Sequence, residues 1–145
     1  MRQTRESGPD PDAISSWITS TYPETKVAWA MAATFFSLTD EHWPNFATIV
    51  TTDEHDMGTP SNLAREGVFR LNIGVGKDTF QRLVGSMSDP DYATLDRLVP
   101  HPVYARQRWV AILNPSRTTF EEVVKPLIAE AHDRLRRPRG SRSAR

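Results

Sequence analysis

The sequence predicts an α+β fold, in which a single domain has a mainly antiparallel, twisted sheet with helices packed on one face. Three observations indicate this class. Short stretches rich in β-branched and aromatic residues follow one another with short connections, which favours hairpins over parallel crossovers. Residues 68–75 alternate between apolar and polar positions, as a strand with one buried face does. The last third carries an apolar stripe at helical spacing, and the whole length of 145 residues suits one domain.

The first predicted element is a helix. Asp12 is placed to cap it, and Pro23 ends it. Its apolar residues recur at helical spacing: Ile14, Trp17, Ile18 and Tyr22. Residues 1–11 precede it without an apolar run, so we expect a disordered N-terminal tail there and no secretory signal.

Three strands and a long loop follow. Residues 26–32 and 34–38 predict a hairpin, although its turn near Ala32 and Ala33 lacks the usual Asn-Gly pair. Residues 46–52 predict a β-branched strand. Residues 53–67 are polar and irregular, and loops of this length are often functional.

The strand over residues 68–75 has two distinct faces. Its apolar residues point one way: Phe69, Leu71, Ile73 and Val75. Arg70, Asn72 and Gly74 point the other way. An arginine inside a strand requires a carboxylate, a ligand or solvent.

The second half continues with helices around one more strand. A short helix containing Phe80, Leu83 and Val84 is expected to end at Gly85, and Asp89-Pro90 is expected to open a helical turn that runs to Leu98. Residues 103–113 predict a strand that ends at Asn114-Pro115.

The final helix is the most strongly predicted element. Thr118 with Glu121, or Thr119 with Glu122, offers a capping box. The apolar stripe comprises Phe120, Val123, Val124, Leu127, Ile128, Ala131 and Leu135. Pro126 lies within this pattern, where it is expected to kink the helix or to mark a tightened first turn. The predicted domain therefore covers residues 12–136, followed by a basic, disordered tail over residues 137–145.

Composition limits the chemistry. The absence of cysteine excludes disulfides and thiolate metal sites and suits the cytoplasm. The formal net charge is zero, but residues 134–145 carry six arginines and no acid, whereas residues 13–133 have a net charge of −5. The tail either binds an anionic partner such as nucleic acid or is simply solvated. No apolar run is long enough for a membrane span.

A candidate site lies around residues 98–116. Pro100 and Pro102 fix the backbone on both sides of His101, and Tyr104 follows closely. Both side chains are suited to proton transfer. The alternative is a structural histidine whose imidazole hydrogen-bonds the loop backbone.

The polar face of the sheet offers a second group of candidates. If residues 68–75 and 103–113 are neighbouring strands, Arg70, Asn72, Tyr104 and Arg106 share one face, with His101 at its rim. Two arginines and an aromatic ring suit a small anionic or planar ligand. This face is otherwise solvent-exposed, or covered by a second subunit in a homodimer.

Other polar residues give weaker signals. Asp53, Glu54, His55 and Asp56 are residue types that bind metals, but their spacing matches no calcium loop, so we expect a solvated acidic loop. His42 is expected in a turn, and His132 at the surface or the edge of the core. Residues 74–77 are too short for a phosphate-binding loop. The sequence therefore predicts no metal site and no cofactor.

Four segments together carry a family resemblance: FATIVTTDEHD, FRLNIGV, LDRLVPHPVY and RWVAILNPS. With them the chain resembles an uncharacterised bacterial protein family that is remotely similar to the MmcQ/YjbR-like proteins. The resemblance implies an α+β fold with an antiparallel sheet. It also implies DNA binding, or a link to antibiotic biosynthesis or resistance, although the acidic body does not suit DNA.

Three functional hypotheses follow. The first is a cytoplasmic protein that binds a small anionic or aromatic molecule through Arg70, Asn72, His101, Tyr104 and Arg106. The second is DNA binding of the MmcQ/YjbR-like type. The third is a metal-free enzyme that uses His101 and Tyr104 for acid–base chemistry.

Overall fold

Antiparallel strand pairs dominate the fold, as predicted. In the computed structural model, which describes residues 7–55 and 58–137, six strands form one sheet in the order β1-β2-β3-β4-β6-β5. The strands are β1 (Lys26–Ala30), β2 (Ala33–Ser37), β3 (Asn45–Val50), β4 (Arg70–Gly74), β5 (Val99–Pro100) and β6 (Trp109–Leu113). Each named pair is antiparallel, which confirms the α+β class.

The helices cover one face of the sheet, and the main core lies between the two layers. The helices are α1 (Pro11–Thr21), α2 (Lys77–Val84), and a C-terminal helix made of α3 (Arg117–Thr119), a π-helical turn (Phe120–Val124) and α4 (Lys125–Arg136). The predicted alternation of β4 is confirmed, because Leu71 and Ile73 belong to this core together with Ile14, Val124 and Ile128. No helix among the described residues is long and apolar enough to cross a membrane.

Helix α1 begins slightly earlier than predicted. The N-cap is Asp10, whose side chain accepts a hydrogen bond from the Ala13 amide at 2.8 Å. The prediction of Asp12 as the cap was wrong, because Pro11 takes the first helical position, where its missing amide costs nothing. Of the two predicted disordered tails, residues 1–6 and 138–145 lie outside the described residues.

The β1–β2 hairpin is confirmed, with a two-residue turn at Met31 and Ala32. Both turn residues have positive φ angles, 51° and 61°. This is the backbone shape that joins twisted antiparallel strands. Because neither residue is glycine or asparagine, the usual sequence signal for this turn is missing.

The helical turn predicted from Asp89 to Leu98 was wrong. The chain there contains left-handed residues at Asp89 and Asp96 (φ 57° and 59°), which a right-handed helix excludes. The segment pairs with the sheet instead. Leu95 forms a parallel bridge to Leu113, and the Asp96 amide donates to the Leu113 carbonyl at 2.6 Å.

The strand predicted over residues 103–113 is also shorter than expected. Only Trp109–Leu113 is a strand, and a 3₁₀ helix over Ala105–Gln107 precedes it. The reason is that β5 and β6 are themselves paired, with the His101 amide donating to the Trp109 carbonyl at 2.9 Å. Residues 102–108 must therefore reverse the direction of the chain between β5 and β6. Arg108, the last residue of this reversal, has a left-handed conformation (φ 65°).

The last helix confirms the predicted stripe but not the predicted cap. Ser116, not Thr118 or Thr119, is the N-cap, and its hydroxyl accepts from the Thr119 amide at 3.1 Å. Pro126 cannot donate a helical hydrogen bond. The helix widens into a π turn just before it, with the Lys125 amide donating to the Phe120 carbonyl, so the predicted tightening does not occur.

Candidate functional site

The second face of the sheet, opposite the helices, is partly covered by two irregular segments. The first is residues 58–69, before β4, and the second is residues 85–98, between α2 and β5. Leu63 and Val68 from the first segment pack on Leu113, with Leu95 from the second segment nearby. The Arg65 guanidinium joins the segments, because its Nη2 donates to the carbonyls of Ser61 and Ala93, both at 2.9 Å. The predicted polar loop is therefore a folded cover over this end of the sheet.

Arg70 and Asn72 lie on this second face, as the alternation of β4 predicts. They are only 4% and 3% exposed. Arg70 Nε donates to Asn72 Oδ1 at 3.0 Å, and Arg70 Nη1 donates to Ser61 Oγ at 3.1 Å. Asn72 Nδ2 in turn donates to Thr48 Oγ1 at 2.9 Å. The guanidinium is thus held in a fixed orientation by a buried network that joins β3, β4 and the loop.

A shallow depression, open to solvent, lies beside this network, and it encloses no space large enough for a water molecule. Arg70 and Arg97 supply positive charge, while Ser61 and Tyr92 supply hydroxyl groups. None of its described lining residues is acidic. The remaining lining residues are apolar: Val99, Pro102, Ala111, Ile112 and Leu113.

The structure brings some of the five predicted site residues together. Arg70 lines the depression. Asn72, the next residue on the same face of β4, accepts a hydrogen bond from Arg70. His101 and Tyr104 form a separate pair, with ring centroids 5.0 Å apart, in the turn that begins beside Pro102. Arg106 lies exposed in the 3₁₀ helix. The strand alternation that was to bring Tyr104 and Arg106 beside Arg70 does not exist, because residues 103–108 are not a strand.

The His101 side chain stabilises the turn that follows it. Its Nδ1 accepts hydrogen bonds from the amides of Val103 and Tyr104, both at 3.0 Å, and the residue is buried. An Nδ1 that accepts two amide hydrogens carries no proton, so the neutral ring carries its proton on Nε2. This agrees with the structural alternative stated for His101 and gives Nδ1 no role as a base toward a substrate.

The sequence did not indicate three residues of the depression. Tyr92 and Arg97 lie in the segment predicted as a helical turn, which gave no reason to place them on the sheet. Ser61 lies in the polar loop, where a buried serine leaves no pattern. The useful signal was the apolar Leu63 inside that loop, which is buried against the second face.

His132 corrects another expectation, because it is buried and not at the surface. Its ring stacks on Tyr22 with centroids 4.1 Å apart, and its Nε2 lies 2.5 Å from a Glu24 carboxylate oxygen. A hydrogen bond from its own backbone and then the bond to His132 hold the pKa of Glu24 below its usual range. Burial and then the Glu24 charge raise the pKa of Tyr22. This cluster joins α4 to the chain after α1, on the helix side of the sheet.

The acidic segment has a local structural role. Asp53 Oδ1 accepts from the Leu63 amide at 2.9 Å and so fixes the fold of the covering loop. Asp56 lies outside the described residues. Among residues 7–55 and 58–137, no three histidine, aspartate or glutamate side chains come together as a metal site requires.

The comparison with protein families reaches nearly the whole chain. The sequence model of a family of unknown function, DUF6194, matches residues 9–144. The chain belongs to the DUF6194 family. The match to DUF6194 agrees with the predicted resemblance to an uncharacterised family, but it shows no similarity to the MmcQ/YjbR-like proteins. No curated protein and no solved structure gives this DUF6194 protein a significant match.

Proposed function

We propose that this protein binds a small planar anion, such as a monocyclic aromatic carboxylate, in the depression on the second face of the sheet. One observation carries the proposal. Two arginines and a tyrosine surround an apolar floor, and no described lining residue is acidic. A carboxylate pairs well with guanidinium groups, and a flat ring suits the apolar floor.

The two arginines have different roles in this proposal. Arg70 is held by Asn72 and Ser61, so its guanidinium keeps a fixed position at the base of the depression. Arg97 is exposed and has no hydrogen-bond or ion-pair partner among the described residues. It is therefore the group able to rotate onto a bound carboxylate.

The size of the depression limits the ligand. The depression is shallow and encloses no space large enough for a water molecule. A ligand therefore lies across its surface, with one face of a flat ring on the apolar residues and its carboxylate at the arginines, and a ligand that must be enclosed does not fit.

Benzoate and benzamide test the proposal, because they share a shape but only benzoate is charged. We expect calorimetry to show benzoate binding at least about tenfold more tightly, since a hydrogen bond to a charged group contributes about 1.5–3 kcal/mol. Arg97→Ala should remove most of this preference. Arg82→Ala, which changes an exposed arginine on α2, is the matched control and should change nothing.

Two results would contradict the proposal. Equal binding of benzoate and benzamide would show that the arginines do not recognise the charge. Loss of benzoate binding in Arg106→Ala, with Arg97→Ala unaffected, would move the site to the turn that holds His101 and Tyr104.

The other expectations from the sequence remain hypotheses. They are the cytoplasmic location, the link to secondary metabolism or resistance, and the remote MmcQ/YjbR-like relationship with its DNA binding. Most of the basic tail on which DNA binding depends, residues 138–145, lies outside the described residues. A steep salt dependence of DNA affinity that disappears when the tail is removed would support DNA binding over a small-molecule ligand.

A further inference from the structure

Strand β1 is an edge of the sheet that no other segment within residues 7–55 and 58–137 covers. Four of its five residues are exposed, and Trp29 is 76% exposed. Natural edge strands are usually protected by proline, by bulges or by charges that point inward. Strand β1 has none of these, since its only charged residue, Lys26, stands at its start and pairs with Asp40 at 3.3 Å.

The turn at Met31 and Ala32 determines which backbone groups of β1 are unpaired. A two-residue turn of this type is closed by a hydrogen-bonded residue pair, here Ala30 and Ala33. Hydrogen-bonded pairs then alternate along the ladder, so Ala28 and Lys26 also direct their amides and carbonyls to β2. Val27 and Trp29 therefore direct their amides and carbonyls away from the sheet.

We propose that β1 pairs with β1 of a second copy of this chain, antiparallel and about a twofold axis at Ala28. In this register Val27 lies opposite Trp29 of the second copy, and Trp29 lies opposite Val27 of the second copy. Each of these two facing pairs is a hydrogen-bonded pair, because both residues direct their amides and carbonyls outward. Val27 and Trp29 share one face of the strand, so each tryptophan packs against a β-branched residue across the axis. Lys26 lies opposite Ala30, and no like charges meet.

The other edge of the sheet explains why the occupant is a second copy and why assembly stops at two. That edge is β5, which has only two residues, and one of them, Pro100, cannot donate a hydrogen bond. Pairing of β1 with itself uses identical surfaces and closes on itself, whereas pairing of β1 with β5 would continue into fibres. The formal net charge of zero creates no long-range repulsion between copies.

The contact is small, so the dimer is weak. A tryptophan offers about 150–250 Å², and stable dimers bury about 800 Å² per partner. A five-residue ladder with one large side chain falls below this size. We therefore expect a dissociation constant in the range of about 10 μM to 1 mM.

Sedimentation of the full chain over a concentration series gives the first test. The wild type should change from monomer to dimer, with no larger species. Trp29→Lys should raise the dissociation constant at least about tenfold, because a lysine replaces the apolar contact and protects the edge. Trp43→Lys is the matched control: this tryptophan is 71% exposed but lies outside the strand, so dimerisation should be unchanged. A wild type that stays monomeric up to about 1 mM, or equal loss in both variants, would overturn the proposal.

Single cysteines test the register, because the natural chain has none. On the axis, the two Ala28 Cα atoms would be about 4.5 Å apart, within the range that a disulfide needs. Ala28→Cys should therefore form a covalent dimer on oxidation. Ala30→Cys is the control, since its two copies would be about 13 Å apart. Equal cross-linking of both variants, or none of Ala28→Cys at concentrations where the wild type is dimeric, would overturn the β1–β1 contact. Cross-linking here does not depend on benzoate binding, so the two proposals succeed or fail separately.

Discussion

Replacing Arg70 by methionine tests whether this arginine supports the fold. Methionine keeps an unbranched apolar chain and removes the guanidinium, so the donors to Asn72 Oδ1 and Ser61 Oγ are lost at a site that is 4% exposed. Each hydrogen bond to a charged group contributes about 1.5–3 kcal/mol, and two such bonds are lost. We therefore expect Arg70→Met to lower the free energy of unfolding by about 3–5 kcal/mol.

Urea unfolding followed by circular dichroism measures this loss. Arg106→Met, at an exposed position of the 3₁₀ helix, is the matched control and should lie within about 0.5 kcal/mol of the wild type. The double variant Ser61→Ala with Arg70→Met should lose less than the sum of the two single variants, because their groups interact. If Arg70→Met lost less than about 1 kcal/mol, the buried network would not stabilise the fold.

Three further predictions concern the helix side of the sheet. Val124 is fully buried, so Val124→Asp places an unpaired charge in the core. This variant should lose the folded circular dichroism spectrum at 25 °C. An unchanged melting temperature would contradict the packing of the last helix. Glu130→Ala should cost about 1–2 kcal/mol in urea unfolding, since Glu130 accepts from the Gly76 amide and the Thr79 hydroxyl, both at 2.7 Å, at the start of α2; Thr79→Ala should cost less. Because the folded pKa of Glu24 is depressed, its contribution is present above the ordinary carboxyl pKa and is lost as the pH falls through the folded value. The difference in melting temperature between wild type and Glu24→Gln should therefore shrink between about pH 5 and pH 3, and a difference that stays constant would refute this linkage.

Local patterns predicted the parts of the fold that follow a regular period. The stripe through Val124 and Ile128 and the alternation through Leu71 and Ile73 both result from one buried face, so they are visible without knowing what covers them. The wrong elements, residues 89–98 and 103–108, owe their conformation to pairing with β6, through Leu95 in the first case and through β5 in the second. Such pairing between distant residues leaves no local period.

The same distinction applies to the candidate site. Arg70 and Asn72 were predictable because a charged residue inside an alternating strand must face away from the core. Arg97 and Tyr92 were not, because an irregular segment brings them to the depression. His132 was within reach of sequence analysis, because it lies four residues after Ile128 and eight after Val124, on the buried stripe itself.

Mapping of benzoate by amide chemical shifts tests the central claim most directly. In a titration of the ¹⁵N-labelled protein to about 10 mM benzoate, which saturates a site with a dissociation constant near 1 mM, we predict saturable shifts for Ser61, Tyr92, Arg97 and Val99. Benzamide should leave these amides nearly unchanged. If these amides stay unperturbed while others shift, or if benzamide shifts them equally, the depression is not an anion site.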